Sequence, residues 1–420
     1  MKKYFTIILI LLSTNLVYAE NNLTLETCKA LAIQNNIKIQ NSQLELDSAK
    51  QIKNAAFTKF FPSISAGGSI FQAANPLMEM TIAPGMSLGF INSGTFGIIN
   101  VIQPLFAGGR IMNGNKLADI GVNANQYKLD LARKEVLFKT EEQYWQIVAL
   151  KEKLKTIATY QIFLTSLDKQ VQDAKNSGLA MKNDVMKVKL KQSELLLNKA
   201  KLESGIKLAT MSFCQTIGID YNPSLQLTEA LKNEDVEKQN HKDLLQTRNE
   251  YKLLQAGVDV SSLQTQMQLG EYLPQVGVGV SGLLIKLDSN RPKTDTVVYG
   301  MVQIPISNWW EASYKLDEQN KKEQIARNNL KDTSEMLLLQ MEKAYQDLTD
   351  AKNQVSLCEE AQKQAYENLK VNQDSYKNGI SSTSDLLEAE ALLQQTNDQL
   401  IEAKTKCQIC KLNYLHVTKR

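Results

Sequence analysis

Apolar residues at Val188, Leu195, Leu202, Ile206, Ala209 and Phe213 recur at steps of three, four or seven, with lysines, glutamates and serines between them. That spacing puts them on one stripe of a helix and reads as a heptad-like seam. The corresponding later positions carry Ala389, Thr396, Ala403, Cys407, Cys410 and Tyr414, a less complete version of the same stripe. Each seam follows a long run without proline: none lies between Pro104 and Pro223, and none after Pro305. The run from Arg110 to Asn176 predicts one helix spanning about 100 Å at about 1.5 Å per residue. A matching helix is expected over 309–377. Uncapped periodic runs of this length point to coiled coil rather than a compact domain.

Two other stretches change period. In "PQVGVGVSGLL", Val276, Val278 and Val280 alternate with Gly277 and Gly279. A period of two with one apolar face is a strand signal. "PSISAGGSIF" from Pro62 reads as a related strand, whereas "GIINVIQ" has no clean alternation. Strands are expected over 62–74, 94–106, 274–287 and 297–306. Loops are expected from Pro76 to Ser93 and from Asp288 to Thr296.

These patterns occur twice. Gly178 and Asp184 in "AKNSGLAMKNDVMKVK" match Gly379 and Asp385 in "YKNGISSTSDLLEAE" at a shift of 201 residues. "VIQPLFAGGR" and "VQIPISNWWE" align Pro104 with Pro305 at that shift, and Pro62 matches Pro274 at 212. The reading is an internal duplication. Repeat 1 covers 20–220, with helices over 22–60, 108–176 and 183–218. Repeat 2 covers 241–420, with helices over 241–272, 309–377 and 383–418. A linker over 221–240 joins them. Each glycine relieves the backbone where a helix turns back. Asp184 and Asp385 then sit in the first turn of a returning helix, where an acid suits the helix dipole. Ser382 with Asp385 resembles a capping box.

"MKKYFTIILILLSTNLVYAE" combines two lysines, a short apolar run and small residues, and predicts an export signal over 1–19 cleaved after Ala19. Its loss would take the formal net charge from +3 to +1, which argues against a nucleic-acid partner. No later run of about 18 apolar residues predicts a membrane helix. The five cysteines are odd in number and scattered, so no disulfide framework is expected. Neither His241 nor His416 lies in a metal-ligand or triad pattern. "CQIC" falls on the buried stripe of a helix and reads as core, not as a redox motif.

An exported chain with short strands and no membrane helix raises the possibility of a barrel. Strands facing lipid occur only in closed barrels, because every backbone group must be paired. Four strands are too few to close one, since the smallest common barrel has eight. Such a chain must oligomerise, and three copies would give twelve strands. Glycines and serines would face the lumen, with valines and isoleucines facing lipid. Phe60, Phe61, Phe106, Tyr272, Trp309 and Trp310 cluster at the helix–strand corners. They read as a membrane-interface girdle, or as ordinary corner packing.

On the repeated unit, on "QPLFAGGR" and on the two "G-x(5)-D-[VL]" turns, the mature chain resembles the TolC-like outer membrane efflux proteins. It departs from them in carrying "IPISNWWE" where a glycine pair is usual. The resemblance implies an α+β membrane protein: a homotrimer with a 12-stranded transmembrane β-barrel and a periplasmic α-barrel of coiled-coil helices. It implies a passive conduit in the outer membrane, opened by a periplasmic adaptor and energised by an inner-membrane pump, in tripartite multidrug efflux or type I secretion. No enzymatic activity, cofactor or metal is implied. The pore constriction falls on Asp385 and Glu388, one helical turn apart, with Tyr376 as gate tyrosine and Asp184 and Asn183 as first-repeat partners. The usual gate-linking arginine falls on Ser381. Adaptor contact falls on Gly178, Leu179, Asp184, Val185, Gly379, Ile380, Asp385 and Leu386. Against these roles stand plainer ones: capping for the acids, and hairpin packing for Leu179, Val185, Ile380 and Leu386. The rival readings of the whole chain are a periplasmic structural coiled coil without a pore and an enzyme using the cysteine pair.

Overall fold

A computed structural model describes residues 22–229, 235–288 and 290–418. The expected signal segment lies outside them. In chain order the elements begin with β1 (Asn22–Leu23), α1 (Leu25–Asn35), α2 (Ile37–Phe57), β2 (Ser63–Gln72), β3 (Met78–Ala83), β4 (Met86–Phe90) and β5 (Ser93–Ala107). Next come α3 (Arg110–Asn176), α4 (Lys182–Ile217), β6 (Gln226–Leu227), α5 (His241–Leu245) and α6 (Asn249–Glu271). The last are β7 (Gln275–Leu287), β8 (Lys293–Gln303), α7 (Trp309–Lys377) and α8 (Thr383–Thr418). No helix among the described residues is long and apolar enough to cross a membrane.

Five details differ from the sequence reading. The helix expected over 22–60 breaks at Asn36, whose extended backbone lets its side-chain amide donate to the Thr216 carbonyl at 2.7 Å. The helix expected over 241–272 is likewise two helices. Between them Arg248, only 5% exposed, bonds both Glu250 oxygens at 3.2 and 2.6 Å. The segment expected as a loop from Pro76 folds into the β3–β4 hairpin, turning at Gly85 with φ +82°. Pro84-Gly85 is a turn signal that the alternation of "MEMTIA" should have reinforced. The expected linker contains β6, which pairs in parallel with β1. In addition β8 starts at Lys293 rather than 297.

The chain forms two compact units. One holds Lys38–Ala132 and Asn240–Met341, including an antiparallel sheet of order β2-β5-β7-β8. The sheet is open, with β2 and β8 at its edges. Pro104 sits inside β5, where a bulge between Pro104 and Phe106 accommodates its missing N–H. Along β7, Gly277, Gly279 and Ser281 are buried, while Val278 and Val280 are 43% and 41% exposed. Ser281 and Asn100 share the buried face and lie within hydrogen-bond distance, 2.6 Å apart. Where strands give way to helices, Gly108 at φ +63° lies so close to Gly270 that a Cβ on either would collide with the other's backbone.

The other unit holds the described residues up to Ile37 together with Arg133–Gln239 and Glu342–Val417. Here α3, α4, α7 and α8 bury a shared core that includes Leu164, Leu167, Val171, Val188, Leu195, Leu369, Leu387 and Ala389. Each fully buried aliphatic side chain contributes about 1.5–3 kcal/mol. This packing, rather than helix propensity, holds the long helices together. The cysteines are free thiols. Burial raises the Cys407 and Cys410 thiols and pushes Cys28 up to about 12, so none of these three is poised as a thiolate.

Candidate functional site

The helix ends at the two glycines share one construction. After α3, Gly178 adopts φ +76°, its N–H reaches the Lys175 carbonyl at 3.0 Å, and Leu179 N–H reaches Ala174 at 2.8 Å. After α7, Gly379 at φ +72° reaches Tyr376 at 3.0 Å, and Ile380 reaches Ser375 at 2.9 Å. Both are Schellman caps, in which the last helical carbonyls are satisfied by a chain that only glycine reverses without strain. The apolar residue after such a glycine usually packs back on its helix. Here Leu179 and Ile380 are 85% and 81% exposed.

The returning helices start differently. At α8 the Asp385 carboxylate accepts from Ser382 N–H at 2.9 Å, and the Ser382 hydroxyl accepts from Asp385 N–H at 3.2 Å. This reciprocal box closes with the shorter acid in place of glutamate. The Ser382 N–H, then its hydroxyl, holds the Asp385 carboxyl below the usual carboxylate range. At α4 the Asp184 carboxylate accepts from Met181 N–H at 3.1 Å, but Met181 has no hydroxyl with which to reciprocate.

The structure places the predicted residues in distinct roles. Asp385 and Glu388 are exposed, one turn apart on α8, and Asn183 is exposed on α4. Tyr376 is half-buried against the four-helix core, its hydroxyl 3.5 Å from that of Thr383. Val185 and Leu386 are 6% and 3% exposed and belong to the core, so they pack the hairpin ends, whereas Leu179 and Ile380 do not. Among the described residues the side chain of Ser381, the position of the absent arginine, contributes only a long 3.4 Å bond to Asp385. Sequence reading missed Lys187, whose ammonium donates to the Ser384 hydroxyl at 2.6 Å and links α4 to the start of α8. It also missed Glu390, 8% exposed, whose carboxyl burial pushes up to about 7. The phenol of Tyr160, which Glu390 influences, is buried with no hydrogen-bond partner among the described residues.

In the other unit, Phe60, Phe61, Phe106, Trp309 and Trp310 are all at least 42% exposed. Tyr272 is instead buried, and its carbonyl accepts from the Trp309 indole at 2.9 Å. No group of His, Cys, Asp and Glu among the described residues could hold a metal ion.

The chain matches the profile of one protein family, described as outer membrane efflux protein, over residues 30–184 and 237–413. No curated protein matches it in sequence. Among solved structures it is similar to the outer membrane protein VceC of Vibrio cholerae, at 14% identity and TM-score 0.79, covering 94% of this chain and 95% of that one. It is also similar to the CmeC outer membrane channel of Campylobacter jejuni, at 14% identity and TM-score 0.79, covering 95% and 85%. A third likeness is to the open state of the MtrE outer membrane channel of Neisseria gonorrhoeae, at 13% identity and TM-score 0.77, covering 94% and 88%. At such identities these likenesses speak to the fold.

Proposed function

The chain belongs to the outer membrane efflux protein family, and on that premise we propose that it is a passive trimeric conduit through the outer membrane. Three copies pool their four-stranded sheets into a 12-stranded barrel, and their long helices form a tube in the periplasm. The observation that carries this reading is the sheet itself. Its edge strands β2 and β8 each have a neighbour on one side only among the described residues, and one face exposes Val278, Val280, Val298, Ile64 and Ile99 at 41–75%. Apolar strands in lipid must close into a cylinder, because an open edge leaves unpaired backbone groups. A pore-free periplasmic coiled coil would leave that apolar face in water. The two separate stretches matching one family support the reading of a duplicated chain over 20–220 and 241–420. A signal cleaved after Ala19 would deliver it.

At the hairpin tips, Asp385 and Glu388 from three copies put six carboxylates around a narrow mouth. Rings of acids favour cations. Asn183, Asp184 and Tyr376 flank that constriction. A periplasmic adaptor, working with an inner-membrane pump in efflux or type I secretion, opens it by docking at Gly178, Leu179, Gly379 and Ile380. The exposure of both apolar side chains in that set supports this role. Asp184, Val185, Asp385 and Leu386 shape the adjoining turns. The exposed aromatics at the helix–strand corners suit the inner membrane boundary.

The test is single-channel recording in planar bilayers. The purified protein should give discrete cation-preferring channels, and the Asp385→Ala/Glu388→Ala variant should lose most of that preference. A variant with unchanged selectivity would remove these acids from the mouth.

A further inference from the structure

At the helix–strand corners a groove of about 1070 Å³ is lined by residues of α2 and the turn after it, α3, α6 and α7, among them Lys59, Arg110, Gln268, Glu271 and Lys322. These helices pack in a row. Asn115 of α3 donates to the Ala56 carbonyl of α2 at 3.0 Å, Lys252 of α6 lies over the Tyr127 ring of α3 at 5.7 Å, and Arg248, just before α6, bonds Gln340 of α7 at 3.3 Å. A single groove reached by the first and last members of a row means that the row bends around it. In the sheet, the face that is buried along β7 is the small and polar one, Gly277, Gly279 and Ser281. In a cylinder built from copies of this chain, the inward-bent side faces the axis. This step rests on the barrel reading above.

The charge in the groove is not balanced. Neither Lys59 nor Arg110 has an ion pair among the described residues; the Arg110 Nε donates only to the Ala107 carbonyl, at 3.4 Å. Lys322 shares Glu318 with Lys315, at 2.7 and 3.3 Å. Against these cations stands Glu271, whose carboxylate takes the Gln268 amide at 2.8 Å. One helical turn or two before the groove on α2, Lys50 and Lys53 are each paired, with Asp47 at 2.8 Å and Asp119 at 2.7 Å. We propose that Lys59 and Arg110 form an anion-attracting station on the lumenal wall, in series with the acidic mouth, that recruits the carboxylate, sulfonate or phosphate groups of exported solutes. Rings of arginine and lysine select anions as acid rings select cations, and a low-dielectric wall strengthens the field that unpaired charges project into a channel.

The experiment measures reversal potentials of single channels in a KCl gradient. Lys59→Gln/Arg110→Gln should raise the potassium-to-chloride permeability ratio at least about twofold. The exposed Lys59→Gln change alone should move it in the same direction, and serves as the test should the double variant fail to assemble. Open channels with an unshifted ratio would overturn the station while leaving the conduit intact. Absence of channels from the unaltered protein would instead overturn the conduit reading on which the station rests.

Discussion

The Lys187 ammonium on α4 holds the Ser384 hydroxyl on α8 at 2.6 Å, and its charge also helps to keep Asp385 ionised. One side chain therefore ties the two hairpins at the point where α8 begins. With serine at position 381, this bond is the polar link between the hairpin ends that the described residues offer there.

Replacing Lys187 by Met keeps the aliphatic stem and removes the link. A hydrogen bond to a charged donor is worth about 1–2 kcal/mol in a partly buried setting. Amides of residues 383–390 should exchange with deuterium about fivefold or more faster in the variant, while the β-sheet amides stay unchanged. Equal exchange in both proteins would show that Lys187 holds nothing.

Gly379→Ala and Gly178→Ala have open space for the new methyl group but must keep a left-handed backbone. Each should cost about 1–2 kcal/mol, and asparagine at either position should cost less. Gly108→Ala meets the Gly270 backbone as well and should abolish assembly. Thermal melts of the detergent-solubilised protein would rank the variants. A Gly108→Ala melt equal to that of Gly178→Ala would contradict the close approach.

How much of this was readable in advance follows from what each signal depends on. Prolines at 62, 104, 274 and 305 and the glycines at 178 and 379 act locally, so the four strands of the large sheet, the long helices and the two reversals were legible in the chain, whereas β3, β4 and β6 were not. The break at Asn36 could not, because its cause is a carbonyl 180 residues away. Lys187 was hidden for the same reason: its partner is 197 residues distant. Among the four apolar tip residues, spacing could not separate Val185 and Leu386 from Leu179 and Ile380. Only burial distinguishes them.

Glu390 predicts a pH dependence. Burial penalises its charged form and pushes its pKa from the usual 4.5 to about 7. Tyr160 on α3, itself pushed up to about 12, and Glu194 on α4 offer it no compensating positive charge. Because the folded state holds this proton more tightly, stability should be highest below about pH 4.5. It should fall as pH rises to about 7, by on the order of 2–3 kcal/mol. Denaturant melts at pH 5 and pH 8 should show that loss, and Glu390→Gln should remove most of it. Asp398, also raised by burial, accounts for any remainder. A Glu390→Gln protein with the full loss would place the titration elsewhere.

Native mass spectrometry of the protein extracted in detergent tests the central claim most directly. The account predicts a complex of three copies that loses its sheet signal only when the trimer is dissociated by heat. A single copy, stable in buffer without detergent, would contradict it.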